Sequence, residues 1–170
     1  LTIPELRYIT GDASPKVMIH DDDLAETALA VAKLCDVAAT VRLGPGGAYE
    51  AGIAAAKPLE RFEEVTLDDI STIMYTSGTT GRPKGAQLTH RNMGTNADTV
   101  AETLIQLQHG ETVLGCLPLF HVFGLTCALM APVTTGASLA LIPRFDPAVA
   151  AQTVRECAVD VFIGVPTMYG

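Results

Sequence analysis

The sequence has little positive charge and contains no run of basic residues. Lys and Arg number 11 against 19 Asp and Glu, which gives a net charge of -8. The acidic excess lies in residues 1–70, which hold 13 acidic and 6 basic side chains, whereas residues 71–170 hold 6 and 5. Binding to nucleic acid or to anionic membrane surfaces usually needs a basic patch. The composition therefore argues against both as main partners, but it leaves small substrates open, because one Lys can serve a phosphate.

Closely paired cysteines are also missing. The four cysteines lie among apolar residues and form no C-x-x-C motif, at Cys35, Cys116, Cys127 and Cys157. Zinc sites and disulfide frameworks need tighter spacing, so we expect four reduced, buried side chains. The first residues show no basic region followed by an apolar run, so no signal peptide is predicted. A cytoplasmic location is the expectation that fits both observations.

Charge is absent from residues 112–143, where no Asp, Glu, Lys or Arg occurs. A membrane-spanning helix needs about 20 consecutive, mostly apolar residues. Pro118, Pro132 and Gly136 interrupt this stretch, and Ser and Thr residues add polarity to it. We therefore predict no transmembrane segment here, but a buried strand, a buried helix and a second buried strand in series. Peripheral contact with a membrane, for collecting a lipid substrate, stays open.

The chain does contain short apolar strands that alternate with helices. Strands are predicted at 16–20, 40–43, 73–75, 85–88, 113–117, 138–142 and 161–165. Helices are predicted at 24–35, 90–108, 122–134 and 147–157, with a capping box of Asp23 and Glu26 before the first, and residues 48–67 as a short helix and an irregular connector. Continuous apolar strands separated by helices are typical of largely parallel sheets with helices on both faces. The sequence therefore predicts an α/β fold with layered αβα architecture.

The strongest functional signal is the glycine-rich segment 75–85, Tyr-Thr-Ser-Gly-Thr-Thr-Gly-Arg-Pro-Lys-Gly. Its glycines let backbone N–H groups turn inward, its hydroxyl groups add donors, and Lys84 adds a mobile positive charge. Such a set of donors suits a polyphosphate, whose oxygens are all acceptors. The spacing fits neither a Walker loop nor the dinucleotide fingerprint G-x-G-x-x-G. Composition alone therefore leaves a flexible surface hairpin as an open alternative.

The order of residues in this segment resembles the signature of the adenylate-forming superfamily, which includes acyl-CoA synthetases, luciferases and the adenylation domains of peptide synthetases. The match covers eleven consecutive positions, and the flanking residues agree with it. The resemblance implies a reaction in which a carboxylate attacks the α-phosphorus of ATP, pyrophosphate leaves, and a thiol then takes the acyl group. It also implies that Thr79 touches a Mg²⁺ ion. The phosphate-binding residues that it implies are Thr76, Ser77, Gly78, Thr79, Thr80, Gly81 and Lys84.

A second motif, Leu-Pro-Leu-Phe-His-Val-Phe-Gly at 117–124, lies between a predicted strand and a helix, where α/β sheets commonly present binding residues. Taken alone, His121 reads more readily as a satisfied core or capping residue. The motif is similar to the Pro-Leu-Phe-His-x-x-Gly pattern of acyl-CoA ligases, in which the matching His lies by the acyl carboxylate and the thiol path. The resemblance thus implies that His121 is a catalytic residue that positions or gates the substrate, as a hydrogen-bond donor rather than an obligatory base.

The resemblance covers the chain and implies that residues 1–170 are part of the N-terminal domain, which binds ATP and the acyl group. We expect the C-terminal domain with its catalytic lysine to be absent, and these residues alone to be inactive. The parent is predicted to be a fatty acyl-CoA ligase that uses ATP, Mg²⁺ and coenzyme A as co-substrate. The helix at 122–134 either lines a tunnel for a long acyl chain or is plain core. The alternatives are an aryl acid, transfer to a carrier protein, or a non-catalytic nucleotide-binding remnant.

Overall fold

The computed structural model describes residues 1–77 and 82–169 and divides the chain into two compact units. The first unit comprises Leu1–Val65 and Tyr75–Ala86, and the second comprises Thr66–Met74 and Gln87–Gly170. Each unit contains parallel strands with helices packed beside them. The predicted α/β architecture with mostly parallel sheets is therefore confirmed.

In the first unit, two parallel strands pair through a crossover helix. The elements follow in the order α1 (Ile3–Ala13), β1 (Val17–His20), α2 (Ala25–Leu34), β2 (Ala39–Arg42) and α3 (Ala48–Ala55). Strand β1 pairs with β2 in parallel, and α2 contacts both strands as well as α1. This strand-helix-strand unit was predicted, but helix α1 was not.

The predicted capping box before α2 is wrong. A single 3₁₀ turn covers Asp22–Leu24, and α2 begins only at Ala25. The Asp22 carboxylate in this turn instead pairs with Arg42 at the end of β2, at 2.5 Å. The charged turn therefore contacts the neighbouring strand and does not cap the helix.

Strands β3 (Ile70–Thr76) and β4 (Lys84–Thr89) form a two-stranded sheet of their own. At its base the Asp69 carbonyl accepts the His90 N–H at 3.1 Å, and Arg91 pairs with Asp68 at 3.0 Å. Helix α4 (His90–Thr99) follows β4 directly. Its N-cap is Thr89, whose hydroxyl accepts the Asn92 N–H at 3.2 Å.

In the second unit, a three-stranded parallel sheet has the order β6-β5-β7, with β5 (Thr112–Gly115) in the centre. Strand β6 is Ser138–Leu141 and β7 is Val161–Phe162. Besides α4, the helices of this unit are α5 (Val122–Leu125), α6 (Ala131–Thr135) and α7 (Pro147–Glu156), and π-helical turns cover Val100–Leu104 and Thr126–Met130. The helices predicted at 90–108 and 122–134 therefore contain π-helical segments, and the first ends before residue 105.

The core of the second unit lies against this sheet. One buried cluster centres on Leu114 and Ala140 of β5 and β6, and a second joins Val100 to Cys127 between the two π-helical turns. The strand-helix-strand series predicted for the uncharged stretch is therefore present, but its second strand is only partly buried, since Ala140 is buried and Leu141 is exposed. No helix among residues 1–77 and 82–169 has the length and apolar character needed to cross a bilayer.

The cysteines depart in part from the prediction. All four are free, and Cys116 and Cys127 are buried, which raises the pKa of both thiols. Cys35 is only half-buried, and Cys157, which follows α7, is exposed. The expectation of four buried thiols is therefore wrong for Cys157, because it stands just after the last residue of an amphipathic helix rather than on its buried face.

Candidate functional site

The described ends of the glycine-rich segment 75–85 lie in the first unit. Thr76 is the last residue of β3, Ser77 follows it, and Lys84 is the first residue of β4. All three side chains are exposed. Within the described part of the chain, Lys84 has no carboxylate in ion-pair contact. Two hydroxyl groups and one uncompensated ammonium group are therefore available to an anion at this segment.

The remaining residues predicted to bind phosphate lie outside the described residues. They are Gly78, Thr79, Thr80 and Gly81. Across residues 1–77 and 82–169, no three His, Cys, Asp or Glu side chains come close enough together to hold a metal ion. The predicted Mg²⁺ contact, Thr79, is among the residues not described. The described side chains therefore do not build a metal site of their own.

Both described flanks of the segment contact helix α1. The Tyr75 hydroxyl donates a hydrogen bond to Asp12 Oδ2 at 2.5 Å, and the Arg82 guanidinium carbon lies 6.0 Å from the centre of the Tyr8 ring. Burial, followed by the hydrogen bond to the Asp12 carboxylate, raises the pKa of Tyr75 to about 12. The phenol therefore stays protonated near neutral pH and keeps its donor role. Tyr8, Asp12 and Tyr75 were not predicted from the sequence to have a role at this segment.

His121 belongs to the second unit and is the N-cap of α5. Its ring Nδ1 accepts the backbone N–H of Phe123 at 3.2 Å, and the backbone N–H of His121 donates to the Pro118 carbonyl at 3.1 Å. Because Nδ1 accepts a hydrogen bond, the neutral ring must carry its proton on Nε2. The side chain is exposed. His121 can therefore present an N–H donor to a ligand while its other nitrogen holds the ring in place.

Gly124 allows this arrangement because it leaves room for the preceding turn. A Cβ built on Gly124 would overlap the carbonyl group of Pro118, whose oxygen accepts the His121 N–H. These neighbouring atoms belong to the backbone and cannot rotate away. The glycine in the Pro-Leu-Phe-His-x-x-Gly pattern thus has a steric reason, since it lets the turn lie against the start of α5.

A cavity of about 670 Å³ opens where β5 and β6 end. Outside the carboxyl ends of parallel strands is the usual position for ligands in α/β sheets, and the volume falls in the range of small-molecule sites. Its wall is mostly apolar, and Arg144 is its one formally charged lining residue. Arg144 has no ion-pair partner in the part of the chain that the structure describes. The cavity therefore suits a ligand with an apolar body and a negative group.

The sequence left two roles open for the helix predicted at 122–134, the lining of a tunnel for an acyl chain or plain core. That helix is absent from the lining of the cavity, and its residues Cys127, Ala128 and Ala131 are buried core. The wall comes instead from the segments that follow the two strands. Phe120, which is 86% exposed, lines the cavity, whereas the neighbouring His121 does not. The position of the strand ends was the signal that could have located this site.

Comparisons with known proteins agree on one enzyme family. A family model described as "AMP-binding enzyme" matches residues 1–170. A feruloyl-CoA synthase from Amycolatopsis sp is 37% identical over 172 residues, covering 99% of this chain and 32% of the relative. A long-chain-fatty-acid-CoA ligase from Bacillus subtilis (strain 168) is 39% identical over 102 residues, covering 59% of this chain and 18% of the relative.

Solved structures agree in fold. ATP-bound MatB from Rhodopseudomonas palustris superposes with a TM-score of 0.87 at 32% identity, over 99% of this chain and 33% of that protein. The inhibitor-bound N-terminal domain of FACL13 from Mycobacterium tuberculosis gives a TM-score of 0.89 at 30% identity, over 99% of this chain and 42% of that chain. The chain thus spans about a third of the length of the first relatives that it matches.

Proposed function

Because the chain belongs to the AMP-binding enzyme family, we propose that the whole protein uses ATP to activate a carboxylic acid as an acyl-adenylate and passes the acyl group to coenzyme A. The observation that carries this proposal is the pair of exposed hydroxyl residues and the uncompensated Lys84 at the ends of segment 75–85. Since the chain spans about a third of its relatives, turnover is proposed for the whole protein and not for these 170 residues. The lysine-bearing C-terminal domain is part of the same proposal.

The proposed work of segment 75–85 is electrostatic. When the acid attacks the α-phosphorus, the bond to pyrophosphate breaks and negative charge collects on the leaving group. Lys84 and the hydroxyl groups of Thr76 and Ser77 would bind the β- and γ-phosphates and stabilise that charge. The proposal extends to the residues outside the described ranges, namely Gly78, Thr79, Thr80 and Gly81. Thr79 is proposed to touch the Mg²⁺ ion that accompanies ATP.

The proposed role of His121 is to donate a hydrogen bond from Nε2–H to the reacting acyl group. The contact between Nδ1 and the Phe123 N–H supports this role, because it leaves Nε2 as the ring donor. A donor held at one orientation would position the carboxylate before attack and the carbonyl before thiol transfer. The proposal does not require His121 to remove a proton.

The proposed acid has an apolar body. The cavity at the ends of β5 and β6 supports this, since its wall is apolar except for Arg144. A fatty acid is our first candidate, because one relative is a long-chain-fatty-acid-CoA ligase. An aryl acid is the second, because a feruloyl-CoA synthase is 37% identical and covers 99% of the chain. A cytoplasmic location is also proposed, on the support of four free cysteines.

The first test is ATP-pyrophosphate exchange by the whole protein with palmitate, ferulate and benzoate. Lys84→Ala should reduce exchange at least tenfold, because it removes the ammonium group proposed to stabilise the leaving pyrophosphate. Lys57→Ala is the matched control, since Lys57 is an exposed lysine of the same unit outside the segment. Folded wild-type protein that exchanges with no acid would favour the non-catalytic remnant. Strong thioester formation on a carrier protein, but not on coenzyme A, would favour the alternative in which the acyl group is transferred to a carrier protein.

A second test separates the capping role of His121 from its proposed chemical role. In His121→Asn the amide oxygen can still cap α5, but the shorter side chain places no donor at the position of Nε2–H. In His121→Ala both the cap and the donor are lost. We expect similar losses of kcat in both variants, but a loss of stability, about 1 kcal/mol, only in His121→Ala. Full activity in His121→Asn would show that His121 acts only as a helix cap.

A further inference from the structure

Two contacts tie the two flanks of segment 75–85 to one helix. Tyr75, at the start of the segment, donates its hydroxyl hydrogen to Asp12 at 2.5 Å. Arg82, near its end, lies over the ring of Tyr8 with its guanidinium carbon 6.0 Å from the ring centre. Tyr8 and Asp12 are four residues apart on α1 and so lie on the same face of that helix. All four residues belong to the first unit.

Helix α1 has independent support for holding these contacts. At its start the Thr2 N–H and hydroxyl donate to Glu5 Oε2 at 2.7 and 2.9 Å. Along its length it packs against α2, and the Cys35 thiol lies 3.5 Å from the Arg7 carbonyl. The helix is therefore held in the unit by contacts that do not involve segment 75–85.

The placement of Asp12 is unfavourable for the helix itself. It stands in the last turn of α1, where the helix dipole disfavours a negative charge, and this turn holds no basic residue. Asp12 has no ion-pair partner within the described residues. Its one hydrogen bond there goes to the Tyr75 hydroxyl. The carboxylate thus serves the segment rather than the helix that carries it.

We propose that α1 is a positioning helix for the phosphate-binding segment, with Asp12 holding its start through Tyr75 and Tyr8 holding its end through Arg82. The inference rests on the proposed function, because it assigns phosphate binding to segment 75–85. Its physical basis is preorganisation, since a segment held at both flanks loses less conformational freedom when ATP binds. Arg82 lies against an aromatic face in this arrangement, which leaves Lys84 as the cation for the ligand.

The inference predicts a specific pattern of mutational effects. Tyr75→Phe and Asp12→Ala should each weaken ATP binding about tenfold, because each removes a hydrogen bond to a charged group. Asp12→Asn should recover most of the affinity, since its amide oxygen can accept the same bond. Tyr8→Leu should act in the same direction but less strongly, because an exposed cation-π contact is weaker.

The experiment measures ATP affinity of the whole protein by calorimetry and the KM for ATP by pyrophosphate exchange. Tyr49→Phe is the matched control for Tyr75→Phe, because Tyr49 is an exposed tyrosine of α3 whose hydroxyl has no hydrogen-bond partner among the described residues. We expect the KM for ATP to rise in the flank variants while the KM for the acid stays unchanged. A helix that acts only in stability would lower the melting temperature and leave both constants unaltered.

Failure of this inference and failure of the proposed function give different results. Wild type that binds ATP but exchanges with no acid would overturn the proposed function. The ATP affinities of the flank variants, measured by calorimetry, would then still test the role of α1. Wild type that binds no ATP would overturn both. Wild type that binds and exchanges, with Tyr75→Phe and Asp12→Ala equal to it in ATP affinity, would overturn the positioning role of α1 alone.

Discussion

Replacing Gly124 by Ala gives a test in which two general rules predict opposite signs. Helix propensity favours Ala over Gly by about 1 kcal/mol inside a helix, so propensity alone predicts a more stable protein. In the structure, however, a Cβ on Gly124 would overlap the carbonyl group of Pro118. Such overpacking costs about 1–3 kcal/mol. The structure therefore predicts that the overlap with Pro118 cancels or outweighs the stability gained from helix propensity.

Gly94 provides the matched control. It is also a helical glycine of the second unit, within α4, and a Cβ there would have no neighbour within 4 Å. Gly94→Ala should therefore show the propensity gain of about 1 kcal/mol without the clash. Because propensity contributes to both variants, it cancels in their difference. Gly124→Ala should be about 1–3 kcal/mol less stable than Gly94→Ala.

Urea and thermal unfolding, followed by far-UV circular dichroism because the chain has no Trp, measure this difference. For a chain of this size, 1 kcal/mol corresponds to about 2–4 °C in melting temperature. Gly124→Ala should also lower kcat in the whole protein, since the turn that it displaces carries His121. Equal stability of the two variants would refute the packing of Pro118 against Gly124. Full activity of Gly124→Ala would refute the link from that packing to His121.

Further predictions concern pH and the cavity. In alkaline solution, a titration followed by phenolate absorbance should show one phenol fewer ionising near pH 12 in Tyr75→Phe, because burial and the Asp12 carboxylate raise the pKa of Tyr75 to about 12. The stabilising effect of protonated Tyr75 is complete below the unfolded pKa of about 10. It is lost as the pH rises through 12. On acidification, circular dichroism should show a smaller loss of helix in Glu5→Gln than in wild type. Hydrogen bonds from Thr2, the N-cap of α1, lower the pKa of Glu5. The stability that ionised Glu5 contributes is therefore lost as the pH falls through that lowered pKa. Gly115→Ala should raise the ratio of kcat/KM for shorter acids to kcat/KM for longer acids. Its Cβ would displace the end of the flexible Leu141 side chain in the cavity wall, at little cost in stability. An unchanged ratio would mean that the acid does not bind there.

Most of the helices and strands could be predicted from local patterns in the sequence, and the proposed chemistry was inferred from two motifs. The order of residues in segments 75–85 and 117–124 carries the family resemblance, and that resemblance implied the phosphate-binding and acyl-site roles that we propose. The parallel strands followed from continuous apolar runs bounded by turns. Helix α1 was missed, although Thr2 and Glu5 with Pro4 between them form a recognisable start signal. That omission also concealed the partners of Tyr75 and Arg82.

What the sequence left open depends on contacts between residues far apart in the chain. Asp12 and Tyr75 are 63 residues apart, and no local period encodes their approach. The wall of the cavity joins the ends of β5 and β6, which meet only after the strands pair. The ring proton of His121 was equally undetermined, because a backbone N–H two residues later decides which nitrogen accepts. Residue types and their order thus indicated the proposed chemistry, whereas packing decided which groups contact the residues assigned to it.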